Sequence, residues 1–465
     1  MPSRILLISA NRCTTPDPVF PLGLAYLTDA LHRAGHDTAW LDVLTDEDRL
    51  EEMLDSYHPD FVGISLRNID DVLIRKRQTF FGDLASLSSR IRRKSKAPII
   101  VGGSGFSIFP ERLLESSGAD FGICGEGEAG FVSLLESLEK HQDVEDIPGL
   151  VFRQNGKIQA NSTAGHPWEK DLLRASRPAA AASHYLQTSG VLNVQTQRGC
   201  AFRCCYCTYP LIEGREHRRR APELVADEFE QLARLGANYV YIVDSVFNSS
   251  PRHVTETCEA LVRRKIKLRW CCFLRPKGLT PELMKLMVRA GLSHAEFGTD
   301  SFCDEVLEAY QKGFTFEDVM RSSELARQES VDYCHFLISG GPGETKATLR
   351  EGFQNSERLK GAVALAVVGM RIYPGTSLFE RSVREGRIGR NTDLLTPTYY
   401  LTPELTAEEV FAELYEFARR SPRWIVGDPQ PAYTSLVQRL RARGVLGPLW
   451  SYFAMLQRIQ PPSSR

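Results

Sequence analysis

The chain has 465 residues, 42% hydrophobic and 25% charged, with 35 glycines and 25 prolines, which leaves room at roughly 150 residues per domain for about three folded domains. That composition excludes a disordered, collagen-like or coiled-coil chain. With 57 basic and 58 acidic side chains the formal net charge is -1, so no electrostatic excess favours a nucleic acid or an anionic membrane, and a small-molecule substrate is the expected partner.

The N-terminal run Ile5-Leu6-Leu7-Ile8 is too short for a signal peptide and reads as a first strand. From there β-branched runs alternate with amphipathic stretches: strands are predicted over 5–9, 38–41, 61–65, 98–102 and 121–124, and helices over 22–34, 46–56, 84–93, 111–117 and 131–139. The alternation predicts an α/β domain over 1–142, a Rossmann-like doubly wound parallel sheet covered on both faces. Such sheets bind ligands beyond the carboxyl ends of their strands. Ser65, Gly102-Gly103-Ser104-Gly105 and Gly125-Glu126-Gly127-Glu128 fall at those ends, although glycines there also serve plain tight turns. No GxGxxG opens the first helix, which disfavours a dinucleotide. Over 143–189 the sequence changes to Pro, Gly, Ala and short polar pieces, read as a linker with a small hairpin, 150–153 and 157–159, around Asn155-Gly156.

After a strand predicted at 191–195 comes Cys200-Ala201-Phe202-Arg203-Cys204-Cys205-Tyr206-Cys207. Eleven cysteines, an odd number without an export signal, point to reduced thiols in the cytoplasm, and clustered ones to metal ligands. Three thiolates at CxxxCxxC spacing suit one face of an iron–sulfur cubane and leave one iron open, with Cys205 spare. Zinc is the alternative, but it would want a fourth Cys or His, and the nearest later imidazole is His217. Further βα units follow, with strands at 239–244, 269–274, 294–298, 332–339 and 363–373 and helices at 252–264, 281–290, 304–309 and 345–359. The apolar run 362–370 is far below the ~20 residues a bilayer span needs. From 401 to 465 the chain reads as helical, with Trp424, Leu436, Leu440, Trp450 and Phe453 spaced to pack.

The cysteine loop, CxxxCxΦC with Tyr206 before the last Cys, resembles the signature of the radical S-adenosylmethionine (SAM) superfamily. The resemblance implies a [4Fe-4S] cluster on Cys200, Cys204 and Cys207 whose open iron chelates SAM, and a partial (β/α)6 barrel over 190–400 with its site at the strand C-terminal ends. It places Asp244 and Asn248 at the SAM amino group, although the usual Gly-Gly-Glu is absent, and Arg275 at the SAM carboxylate. Asp300 and Ser301, in Gly298-Thr299-Asp300-Ser301, resemble the ribose-binding Gly-Ile-Glu-Ser; Gly341, Gly343 and Glu344 resemble the turn that passes adenine. Together with the N-terminal domain, the text of 21–27, 102–103, 110–111 and 125–128 is similar to the cobalamin (B12)-binding branch, with Ser65, Gly102, Gly103 and Ser104 toward the corrin. An Asp-x-His-x-x-Gly after the first strand is missing, so that loop offers no histidine to the cobalt.

The resemblance implies a transferase: reductive SAM cleavage by a cluster fed from a flavodoxin or ferredoxin, a 5'-deoxyadenosyl radical on an unactivated substrate carbon, and methyl delivery by methylcobalamin. A cobalamin-free alternative transfers the 3-amino-3-carboxypropyl group of SAM to a heteroatom, motivated by the spare thiols Cys205, Cys271 and Cys272. A non-catalytic corrinoid or Fe–S carrier is the third reading. Arg215, Arg218, Arg219 and Arg220 form a charge run whose plainest role is a solvated face.

Overall fold

The structure, a computed structural model, describes residues 2–14, 17–163, 174–427 and 431–452, with the side chains of 431–434 and 436 outside the description. The chain divides into two compact units: Met1–Asp71, Gln78–Gln187 and Leu211–Glu213 form the first, and Val72–Arg77, Thr188–Pro210 and Gly214–Arg465 the second. Among the described residues no helix is long and apolar enough to cross a membrane.

In the first unit the strands are β1 (Arg4–Ser9), β2 (Asp37–Asp42), β3 (Phe61–Ser65), β4 (Ile99–Gly102), β5 (Phe121–Ile123), β6 (Leu150–Gln154) and β7 (Lys157–Ala160). They are hydrogen-bonded in the order β2-β1-β3-β4-β5-β6-β7, the first five parallel and the last two antiparallel. Between them run α1 (Leu22–Arg33), α2 (Leu50–Tyr57), α3 (Leu84–Lys94), α4 (Pro110–Ser117) and α5 (Gly127–Glu139). Helices cover both faces, so β1 is apolar without alternation: Ile5, Leu6, Leu7 and Ile8 are all fully buried. Leu7 packs in one core with Leu24 and Leu31 of α1 and with Phe131, Leu134 and Leu135 of α5. The chain leaves β1 for β2 on one side and returns to β3 on the other, so the switch in winding direction lies between β1 and β3.

The described parts of the segment expected as a linker, 143–163 and 174–187, belong to this unit. Its hairpin turns at Asn155 and Gly156, both at positive φ, and extends the sheet, because Leu150, Val151 and Phe152 have an apolar core to enter. Its alanines, good helix formers, begin α6 (Ala179–Ser189), from which the Tyr185 hydroxyl donates to the buried carboxylate of Asp42 at the end of β2.

The second unit carries β8 (Val191–Val194), the short pair β9 (Gln197–Arg198) and β10 (Arg218–Arg219), then β11 (Tyr239–Ile242), β12 (Arg269–Leu274), β13 (Leu292–Asp300), β14 (Asp332–Ser339), β15 (Val363–Val368), a second pair β16 (Met370–Arg371) and β17 (Tyr399–Tyr400), and β18 (Trp424–Val426). Its main sheet is parallel throughout, in the order β18-β15-β14-β13-β12-β11-β8. The helices, in chain order, are α7 (Tyr209–Ile212), α8 (Pro222–Arg234), α9 (Pro251–Arg263), α10 (Pro281–Arg289), α11 (Asp304–Ala309), α12 (Phe316–Gln328), α13 (Lys346–Glu357), α14 (Ser377–Arg384), α15 (Ala407–Arg420) and α16 (Pro431–Ala442). In α9, Pro251 stands at the start and Val254, Thr257, Cys258 and Leu261 are buried at three- and four-residue spacing, the stripe that seats a crossover helix on a sheet.

Three expectations change here. The sixth predicted strand, 363–373, breaks at Gly369, whose φ of 80° separates β15 from β16. The stretch 401–465 is not wholly helical, because Trp424-Ile425-Val426 pairs with β15 as a seventh parallel strand. Helices α8 and α12 add to the expected set; α12 opens with a capping box between Thr315 and Asp318. Val437, Leu440, Leu449 and Trp450 pack with Cys334, Val363 and Ile425, whereas the side chain of Leu436 and all of Phe453 lie outside the described residues.

Candidate active site

The cysteine loop leaves β9 through Gly199, at φ 82°, where a Cβ would stand 1.9 Å from the carbonyl oxygen of Glu216; only glycine fits. The Cys200 amide donates to the Gly214 carbonyl at 3.0 Å and the Cys207 amide to the Cys204 carbonyl at 3.2 Å, which curls the three thiols into one turn. Two further backbone bonds anchor it, from Cys205 to Tyr310 (3.0 Å) and from Leu378 to Cys205 (2.8 Å). All three thiols are unpaired, and burial raises the pKa of Cys204 and pushes that of Cys207 to about 12. Lys312 and Arg275 act against that rise at Cys204, while Cys200 adds to it. Cys205 is buried with its sulfur 3.9 Å from that of Met370, as a spare thiol should be.

Among the described residues no three Cys, His, Asp or Glu side chains converge as ligands of a single metal ion. His217 packs edge-on against Phe202, with ring centroids 5.5 Å apart. Three mutually interacting free thiols beside two cations are a donor set that fits an iron–sulfur cluster.

A charged network backs the loop. The Tyr206 hydroxyl and the Lys312 ammonium both donate to Asp300 Oδ2, each at 2.7 Å, and the Lys312 and Asp300 side chains are 6% and 5% exposed. Asp300 ends β13 at φ 69°, a left-handed conformation unusual outside glycine. Arg275, just beyond β12, donates through Nη2 to the carbonyls of Lys312 (2.6 Å) and Gly313 (2.8 Å), and its guanidinium lies 4.4 Å from the Phe202 ring centroid and 5.2 Å from that of Phe314. Lys312 was not marked by the sequence reading. Its only sequence trace is a Lys-Gly step twelve positions after Asp300, and nothing in hydrophobic periodicity singles it out.

Several motif residues hold their own backbone. Asp244, expected at the SAM amino group, receives the amides of Thr196 (2.6 Å) and Gln197 (3.2 Å) and the Thr196 hydroxyl, which also bonds His253 at 2.8 Å. Asn248, expected beside it, brackets Arg275: its Oδ1 accepts from the Arg275 amide at 2.8 Å and its Nδ2 donates to the carbonyls of Arg275 and Lys277. Both side chains therefore shape the loops after β8 and β12. Ser301 accepts the amide of Cys303 at 3.2 Å. A Cβ on Gly341 would stand 2.2 Å from the Tyr310 hydroxyl, and one on Gly343 2.9 Å from Ala309, so these glycines make room for protein. Glu344 accepts the Gly340 amide, and burial pushes its carboxyl up to about 7. Gly298 differs: a Cβ there meets nothing within 4 Å, which leaves open room along β13 beside Asp300.

At the C-terminal rim of the first sheet, Ser65, Gly102, Gly103 and Ser104 come together. Leu66 donates to Gly102 (2.8 Å), Gly105 donates to Leu66 (2.9 Å), and the Ser104 hydroxyl donates to the Arg67 carbonyl (2.9 Å). Gly103, at φ 98°, would put a Cβ 2.6 Å from the Leu66 carbonyl oxygen. The position that the sequence reading missed is Asn11, just after β1 and 2% exposed. Its Oδ1 accepts the Cys13 amide at 3.4 Å, while its Nδ2 has no hydrogen-bond acceptor among the described residues. A buried, unsatisfied donor at the switch point of a doubly wound sheet suits a polar ligand there.

The chain matches the Radical SAM superfamily over residues 194–354 and the B12 binding domain over residues 9–135. It is 25% identical to a tryptophan 2-C-methyltransferase of Streptomyces laurentii over 80% of this chain and 73% of that one. It is 27% identical to a hopanoid C-3 methylase of Methylococcus capsulatus over 70% of this chain and 64% of that one. The structure of a radical S-adenosylmethionine methyltransferase from Kitasatospora setae, solved with cobalamin and a [4Fe-4S] cluster bound, superposes with a TM-score of 0.88, at 24% identity and coverage of 99% of this chain and 98% of that one, which is a likeness of fold. Both matches fall in one chain, the B12 binding domain first and the Radical SAM domain after it.

Proposed function

We propose that the protein is a cobalamin-dependent radical SAM methyltransferase acting on a small molecule. The observation that carries this reading is a partly buried three-cysteine loop backed by Asp300, Lys312 and Arg275, in a chain that also carries a B12 binding domain. Cys200, Cys204 and Cys207 hold the [4Fe-4S] cluster; Arg275, through the N–H groups it does not give to Lys312 and Gly313, Asp300, Ser301 and the 341–344 turn take SAM. Ser65, Gly102, Gly103 and Ser104, joined by Asn11, take cobalamin. When bound, these groups supply electron transfer, carbon–sulfur cleavage and methyl carriage, and the protein supplies placement and exclusion of water. The relatives named as a tryptophan methyltransferase and a hopanoid methylase support methyl transfer to carbon. A flavodoxin- or ferredoxin-type donor completes the partners, and eleven cysteines suit a reducing cytoplasm.

The aminocarboxypropyl alternative loses its motive, because Cys205, Cys271 and Cys272 are buried core thiols whose pKa burial raises. The test is anaerobic turnover of the reconstituted protein with SAM, with and without added cobalamin. S-adenosylhomocysteine that forms only with cobalamin is the expected result. Methylthioadenosine that forms regardless of cobalamin would overturn the reading.

A further inference from the structure

The Asp300–Lys312 pair has no part in holding the cluster, yet it stands directly behind the loop that does. Tyr206 lies between Cys205 and Cys207 in sequence, and its hydroxyl ends on the oxygen that also receives Lys312. The Lys312 nitrogen is 5.9 Å from the centre of the Tyr206 ring and 5.7 Å from that of Phe314, so two aromatic rings border the buried ammonium. Arg275 clamps the Lys312 backbone, and Asn248 clamps the Arg275 backbone in turn. A cation held this firmly in a dry setting acts on nearby charge with little screening. Toward Cys204 the favourable influence of Lys312 exceeds the unfavourable one of Asp300, and Lys312 acts on Cys207 as well.

We propose that Lys312 and Asp300 are positioning residues that set the reduction potential of the cluster with opposite signs, Lys312 raising it and Asp300 lowering it. The inference rests on the cluster assignment made above. Reduction adds one electron from a low-potential donor, so the cluster gains one negative charge while no bond forms or breaks and no proton moves. A fixed buried cation favours that added charge and a fixed anion disfavours it. Pairing reconciles this with folding: Asp300 holds Lys312 in place through a buried ion pair, while the neighbouring Cys204 and Cys207 also favour its charged form, so the ammonium does not depend on Asp300 alone.

The experiment is a redox titration of the full-length reconstituted protein, without SAM, followed by the electron paramagnetic resonance signal of the reduced cluster. Omitting SAM separates this role from any contact Asp300 makes with it. Lys312→Met should reduce the cluster's reduction equilibrium at least tenfold, a fall of about 59 mV for one electron. Asp300→Asn, which still accepts from Tyr206, should move the potential upward, and Lys312→Arg should return it to within about threefold of wild type. Should Lys312→Met fold poorly because it strands a buried carboxylate, the double variant Lys312→Met/Asp300→Asn should lie below Asp300→Asn alone. Shifts of the same sign in the two single variants, or no shift at full iron and sulfide content, overturn the inference. A wild-type protein that binds no cluster overturns instead the functional reading beneath it, and iron and sulfide analysis before titration separates the two failures.

Discussion

The two parallel sheets treat their C-terminal rims differently. In the first unit the rim is made of backbone: glycine at 103 and 105 lets the loops after β3 and β4 bond to each other, and one side chain, Asn11, ends buried without a partner for its amide. In the second unit the rim is made of side chains that spend themselves on one another. Asp244 holds Thr196 and Gln197, Asn248 holds Arg275, Arg275 holds Lys312, and Lys312 meets Tyr206 on Asp300. A backbone rim can accommodate a large cofactor with little commitment to its functional groups, while a side-chain rim fixes charge to within a bond length. That division is what the proposed roles require, a corrin at the first rim and control of an electron at the second.

The largest break in this comparison is inside the cysteine loop. Cys204→Ala should abolish the iron–sulfide chromophore, whereas Cys205→Ala, one residue away, should keep it and lose only the contact with Met370, a cost of about 1 kcal/mol. Iron analysis and the visible spectrum of the two variants check this. Loss of the cluster in both would mean that the loop depends on packing rather than on ligand spacing.

The next effect sharpens the backbone side. At Gly103 even alanine combines a left-handed φ of 98° with an approach of 2.6 Å to the Leu66 carbonyl, and it should destabilise the first unit by about 4 kcal/mol in denaturant melts. Gly127 opens α5 with nothing within 4 Å of a Cβ, and Gly127→Ala should be neutral or stabilise by up to about 1 kcal/mol. The expected motif glycines are therefore not equivalent. A bulky residue at position 103 cannot serve as a clean probe of cobalamin, because it breaks the fold before it blocks a ligand. Equal effects at the two positions would show that the rim loops give way more easily than their hydrogen bonds imply.

Sequence made the architecture legible where a local rule carries it. Parallel strands buried on both faces read as apolar runs such as Ile5-Leu6-Leu7-Ile8, Asn155-Gly156 marks a turn, and the CxxxCxxC spacing marks a loop that carries three thiols. What escaped depends on tertiary partners. The hairpin looked like part of a linker because its two short strands acquire meaning only at the free edge of β5, and Trp424-Ile425-Val426 sat in a helical tract until β15 offered it an edge. Among candidate site residues, the cysteines stand out by spacing alone. Lys312 could not, since its role comes from Asp300 across a loop, and Asn11 could not, since an unsatisfied amide is visible only once its surroundings are. Asp244 and Asn248 show the reverse: polar residues at the right strand ends whose hydrogen bonds go to the protein itself.

The smallest expected effect tests whether the side-chain rim tolerates charge that has no partner. Glu344 is buried in the turn after β14, where its carboxylate accepts from the Gly340 amide and meets no cation among the described residues, so burial pushes its pKa up from an ordinary 4.5 to about 7. A folded-state pKa above the unfolded one means that the native protein binds the proton more tightly. The associated stability is complete below about pH 4.5 and is lost as pH rises through about 7. At one pKa unit per 1.36 kcal/mol the loss amounts to about 3 kcal/mol across that window. Glu344→Gln, which keeps an oxygen for the Gly340 amide but cannot ionise, should remove this slope. The difference in unfolding free energy between variant and wild type should accordingly grow between pH 4.5 and 7.5 and then level off. A difference that stays flat over that range would mean that Glu344 ionises at its ordinary pKa, so that the turn offers its carboxylate more polar company than the Gly340 amide supplies.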